Sequence, residues 1–205
     1  MSGLAQEREI ALFPLATVLF PGGLLALKIF EARYLDMLGE CLRSGAPFGV
    51  VALRSGSEVG DPAGVTFEPV GTLAELIDVD SEQAGIVHAR CRGTQRFEAR
   101  APQRRKDGLW VATAETLAGD DAVAPAESMH ATVRALESAL AALDERGAAT
   151  VLGPCRFDDA GWVANRWCEI LPLPLAAKQR LMALPDAALR LQLVDEFLRD
   201  RGVVA

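Results

Sequence analysis

The chain has 205 residues, half of them hydrophobic and 24% charged, with a formal net charge of -7. That length suits one large domain or two small ones, and the acidic balance argues against nucleic acid or an anionic membrane as a partner of the average surface. The four cysteines, Cys41, Cys91, Cys155 and Cys168, form no C-x-x-C and no dense framework, so free thiols in a reducing, cytoplasmic setting are expected.

The N-terminus "MSGLAQEREI" carries two glutamates and lacks the basic-then-apolar order of a secretory signal. No apolar run approaches the roughly 20 residues needed to span a bilayer. From Ile10 to about Leu117 short apolar runs alternate with glycine and proline. "IALFPL", "LLALKI", "FGVVALR", "GTLAELIDV", "GIVHARCRG", "TQRFEAR" and "GLWVATAETL" read as strands. In "GIVHARC" Val87, Ala89 and Cys91 fall on one face and His88, Arg90 and Arg92 on the other, as a half-buried antiparallel strand requires. Gly93 is expected to turn the chain into "TQRFEAR". Strands at this spacing suggest a barrel or sandwich.

One helix interrupts the β half. Phe30, Tyr34, Met37, Leu38 and Cys41 lie on one stripe of a 3.6-residue period, and Ser44, Gly45 and Pro47 stop it. Glu31 is expected in its first turn, where the helix dipole favours an anion. Pro21-Gly22-Gly23 reads as the turn between two barrel strands, with Phe20, Leu24 and Leu25 as a candidate exposed apolar patch for binding protein.

After "AGDDAVAPAES" the period becomes helical: Met129, Val133, Leu136, Leu140 and Leu143, then Trp162, Val163, Arg166, Trp167 and Ile170. Pro174 can open a further helix and Asp186 can cap the last. Leu189, Leu193, Val194, Phe197 and Leu198 are the expected apolar face of that last helix. The division is therefore residues 1–120, mostly β, and residues 121–205, a helical bundle: an α+β chain.

Catalytic signatures are missing. There is no G-x-x-x-x-G-K-[ST] phosphate cradle, no G-x-S-x-G and no S-x-x-K. His88 and His130 have no second ligand at metal spacing. "DVDSEQAG" places Asp78, Asp80 and Glu82 two apart but lacks the glycine and distal glutamate of a calcium loop, so a hairpin turn is expected. No metal, cofactor or catalytic residue is assigned. "KIFEARY", with Lys28, Glu31 and Arg33 around Phe30, reads as a structural joint, because burying Phe30 and placing Glu31 at a helix start suffice to explain it. Arg90, Arg92, Arg96, Arg100, Arg104, Arg105 and Lys106 face only Glu98 and Asp107 in their own segment, a cationic strip that could track phosphates. Its one aromatic, Phe97, is thin for base stacking.

"FPLATVLFPGGLLALKIFEARYLDML" resembles the opening signature of the Lon protease N-terminal substrate-binding domain: a proline-leucine strand, a V-L-F-P-G turn and an I-F-E-x-R-Y helix entry. "VGTLAELIDV", "GIVHARCRGTQRFEAR" and "LPLPLAAKQRLMALPDAALRLQLVDEFL" are similar to later parts of that family. The resemblance implies a PUA-like β pseudo-barrel with one inserted helix, followed by a helical bundle. It also implies a non-enzymatic module that binds unfolded or tagged proteins, and the chain reads as a stand-alone member. RNA binding through residues 90–106 is the alternative, by analogy with other PUA-like barrels.

Overall fold

The computed structural model describes residues 8–60, 64–83, 85–147 and 151–204. The first seven residues and the side chains of Glu82 and Gln83 lie outside that description. The chain divides between Ala118 and Gly119 into two compact units.

The first unit is built from β1 (Arg8–Leu15), β2 (Leu24–Ile29), α1 (Ala32–Ser44), β3 (Phe48–Ser55), β4 (Thr66–Phe67), β5 (Val70–Gln83), β6 (Ile86–Arg104) and β7 (Trp110–Thr116). The sheet runs β1-β7-β6-β5-β3-β4, and a parallel pairing of β1 with β3 closes it into a barrel; β2 adds to β6. Closure leaves β1 with partners on both edges, which accounts for its nearly continuous apolar run "IALFPL".

"GIVHARCRG" and "TQRFEAR" are not two strands. β6 runs through Gly93 without turning: its N-terminal part pairs with β2 and its C-terminal part with β7, while β5 pairs with it from Ile86 to Glu98. Gly93 is there because another backbone comes close: a Cβ would meet the Phe20 carbonyl oxygen and the Leu19 side chain. The Gly93 N–H donates to the Gly23 carbonyl at 2.9 Å, and the Gly22 N–H donates to the Gly93 carbonyl at 2.8 Å. With Gly22 at φ 75°, this is a G1 bulge that re-aims the chain into β2.

α1 begins later than its apolar stripe suggests. Tyr34, Met37, Leu38 and Cys41 are buried, but Phe30 precedes the helix and is 49% exposed. Glu31 is the N-cap and not a first-turn residue. The Phe13 and Tyr34 rings stack at 3.9 Å, joining β1 to α1 inside a core that includes Leu27, Ile29, Phe48 and Cys91. Gly45, at φ 67°, ends the helix by donating its N–H to the Cys41 carbonyl.

The second unit holds α2 (His130–Glu145), α3 (Ala160–Ile170), α4 (Leu175–Ala183) and α5 (Ala187–Asp200). Asp159 and Asp186 cap α3 and α5 by accepting the N–H of Trp162 and Leu189. The buried face of α5 is the expected one only at Val194 and Leu198. Ala187, Arg190, Leu191, Val194, Asp195 and Leu198 point inward, while Leu189 and Leu193 are exposed. The reason is polar: Arg190 and Asp195 have partners inside the bundle. Asp195 accepts from the Thr132 hydroxyl and from Arg199 Nε (2.7 Å), and Trp167 Nε1 donates to the Thr132 carbonyl at 3.2 Å. Each bond offsets part of the cost of burying these groups.

Candidate functional site

The apolar loop before β2 is the first candidate, and the structure removes one of its residues. Phe20 is 0% exposed. The loop is sewn to the sheet: the Thr72 hydroxyl on β5 donates to the Leu19 carbonyl at 2.6 Å, and the Gly22–Gly23 bulge clasps Gly93. Phe20 therefore belongs to the interior and offers nothing to a partner. Leu24 and Leu25 are half-buried; Leu25 packs against the core under the barrel, and by alternation Leu24 faces the other way.

The face that Leu24 shares is continuous. With a two-residue period, Leu24, Ala26 and Lys28 stand on one side of β2, and Phe30 extends the series beyond its end. Ala26, Lys28 and Phe30 are all exposed. The helical period assigns Phe30 to the buried stripe of α1, so its exposure corrects that reading and adds an aromatic to the candidate surface.

Two of the charges beside Phe30, Glu31 and Arg33, hold structure together. Arg33 is buried, bonds Glu31 at 2.7 Å, and donates to the carbonyls of Gly60 (3.1 Å) and Gly108 (3.4 Å). Its guanidinium also lies 4.8 Å from the centre of the Tyr34 ring. One side chain thus fixes the start of α1 to two loops. Burial raises the Tyr34 hydroxyl above its ordinary value against the opposing pull of Arg33, which leaves it neutral and unsuited to act as a base.

The basic strip is largely matched from neighbouring strands. Arg92 pairs with Glu75 on β5 at 3.2 Å, Arg100 with Glu98 and Glu115, and Arg105 with Glu9 on β1 at 3.0 Å. Arg90 lies opposite Asp78, and His88 opposite Asp80, in the β5–β6 register. Arg96 is not on the surface at all: it is buried, and its Nη2 donates to the Ala118 carbonyl at 3.1 Å. Phe97 is buried too, which removes the one stacking aromatic of the strip. Arg104 and Lys106 are exposed near the end of the strip.

Among the described residues, shallow grooves run over the second unit. One, of about 360 Å³, is lined by Glu137, Leu140, Ala141 and Asp144 on α2 together with Cys155 and Phe157. Another, of about 400 Å³, includes His130, Arg134 and Asp158. Cys155 lines the first groove and His130 the second, so neither groove joins the two. Among the described residues no three His, Cys, Asp or Glu side chains gather as a metal site, and no helix is long and apolar enough to cross a membrane.

Comparison with known proteins identifies the arrangement. The profile of the ATP-dependent protease La (LON) substrate-binding domain matches residues 9–200. The chain belongs to the Lon substrate-binding domain family. The crystal structure of a Lon N-terminal domain protein from Xanthomonas campestris superposes with a TM-score of 0.73 at 29% identity, covering 91% of this chain and 96% of that one. The N-terminal domain of the Mycobacterium avium complex Lon protease shares the fold, with a TM-score of 0.58 at 17% identity over 94% of this chain and 99% of that one. A Lon protease from Paraburkholderia phytofirmans is 28% identical over 98% of this chain, and the aligned region is 25% of that protease. The chain therefore spans about a quarter of the length of this curated relative, and what matches is the family's binding domain. The α+β reading, with a β barrel and a helical unit, agrees with these Lon N-terminal domains.

Proposed function

We propose that this chain is a protein-binding module that takes up unfolded or tagged polypeptides, acting in the cytoplasm as an adaptor or regulator of protein quality control. The observation that carries the reading is the match to a substrate-binding domain across residues 9–200. The exposed Phe30, continuing the face of Leu24 and Ala26, supplies surface of a kind that an apolar segment can cover.

The module needs no chemistry of its own for this role. Its buried ion pairs hold elements together, and Arg90, Arg92 and Arg100 on β6 face carboxylates of the same sheet. Titration with reduced, carboxymethylated α-lactalbumin, which cannot refold, tests the proposal, with native α-lactalbumin as control. Saturable binding of the unfolded form alone is expected. No binding of either form at high micromolar concentration overturns it.

A further inference from the structure

β2, β5 and β6 make a three-stranded ribbon beyond the part of β5 that pairs with β3, which extends only from Thr72 to Ala74. The ribbon has two outer edges, and they differ. On the β5 edge the register with β6 shifts between Leu76 and Asp78 and again between Asp80 and Gln83, and Glu75, Asp78 and Asp80 stand along it. Bulges and charges of this kind are how open edges are protected from added strands.

The β2 edge lacks that protection. Its pairing with β6 is unbroken from Leu24–Arg92 to Ile29–Val87, with one charge, Lys28. The bond from Gly93 N–H to the Gly23 carbonyl sets the phase of the ladder. Antiparallel pairs alternate, so Leu25, Leu27 and Ile29 direct their backbone groups at β6, while Leu24, Ala26 and Lys28 direct N–H and C=O outward. Among the described residues, no strand pairs with that side of β2 and no loop or side-chain hydrogen bond reaches it.

We infer that the outer edge of β2 binds an extended segment of another polypeptide by strand addition, with backbone bonds to Leu24, Ala26 and Lys28. This rests on the protein-binding reading and names its site. An edge of alternating donors and acceptors fits only an extended chain, and main-chain bonds tolerate many sequences, as a recruiter of unfolded proteins requires. Side chains add a preference. A residue set beside Lys28 is favoured when acidic, and residues beside Leu24 and Ala26, or reaching Phe30, when apolar.

Ala26→Pro separates the site from the rest of the fold, because the N–H it removes is directed away from β6 and costs no ladder bond. Ala26→Val keeps the N–H. With reduced, carboxymethylated α-lactalbumin as probe, Ala26→Pro is expected to weaken binding about tenfold or more, a loss of at least ~1.4 kcal/mol, while Ala26→Val binds like the parent. In the parent, the probe should slow hydrogen exchange at the Leu24, Ala26 and Lys28 amides read one by one by NMR. Parent and Ala26→Pro binding equally well, or no added protection at those amides, overturns the site and leaves the protein-binding reading intact. A parent that binds nothing overturns both. Concentration-dependent self-association that Ala26→Pro abolishes, with probe binding unaffected, assigns the edge to a second copy and also overturns the inference. If circular dichroism shows Ala26→Pro unfolded, the amide protection decides alone.

Discussion

Arg190 holds Asp120 by both ends of its guanidinium, Nη1 to Oδ2 at 2.6 Å and Nη2 to Oδ1 at 3.0 Å, across 70 residues of sequence. The same side chain, 1% exposed, donates Nε to the Leu181 carbonyl at 2.9 Å and Nη1 to Asn165 Oδ1 at 3.2 Å, and it also reaches the Leu184 carbonyl. Gly161 makes room: a Cβ there would lie 2.6 Å from Asp120 Oδ2. Asp120 falls at the end of the β division drawn from the sequence, yet it closes the helical unit around α5.

Asp120→Ala should therefore leave a buried guanidinium without its countercharge. A loss of about 3–5 kcal/mol is expected, as for other broken buried pairs. Urea denaturation followed by circular dichroism at 222 nm, a wavelength dominated by helix, measures it. A change below about 1 kcal/mol, the range of an exposed pair, would show that the contact is dispensable.

Gly93→Ala is expected to destabilise the β unit by about 1–3 kcal/mol, the usual cost of forcing atoms into a packed site. The added methyl displaces Leu19 and the Phe20 carbonyl, so the bulge at Gly22–Gly23 loosens with it. Gly119→Ala, where a Cβ meets nothing, is the control. Equal denaturation midpoints for the two variants would contradict the close approach.

Burial raises the Glu169 carboxyl from its ordinary 4.5 to about 7, against the opposing attraction of Arg166 and Lys178. Between those values the folded protein keeps a proton that the unfolded chain has released. The stabilisation is full below pH about 4.5 and declines as pH rises through about 7. Glu169→Gln cannot titrate, so its stability should fall less steeply than the parent's across that window. Denaturation midpoints at a series of pH values check this, and parallel profiles would refute it.

Cys41, Cys91 and Cys168 are buried and Cys155 is exposed. Burial pushes Cys91 and Cys168 up to about 12, which keeps both thiols protonated and slow to react. Ellman's reagent should label one thiol quickly in the native protein and all four in denaturant. Cys155→Ser should abolish the fast phase; its survival would place a reactive thiol elsewhere.

Much of this arrangement is readable from residue order. Alternation locates the strands, a 3.6-residue period locates the helices, and Asp186 caps α5 as its position implies. What is not readable depends on partners distant in sequence. Gly93 has the same letter whether it turns a chain or admits a second backbone, and only Phe20, more than seventy residues earlier, distinguishes the two. Hydropathy sends Leu189 and Leu193 inward and Arg190 and Asp195 outward; Asp120, Asn165 and Thr132 reverse that choice. For the candidate surface, residue order identifies Leu24 and Leu25 as neighbours of a loop, but not that Phe20 is enclosed and Phe30 is open. The open edge of β2 has no signature in side chains, because its groups are backbone.

β1 occupies the seam of the barrel, parallel to β3 and antiparallel to β7. During synthesis the first strand must wait for residues about a hundred positions later before its second edge is covered, and pairings so distant form slowly because the intervening chain loses entropy when they close. In that interval a nascent chain presents an uncovered β1 edge, so a ribosome-bound barrel passes through a sticky stage that the finished molecule conceals.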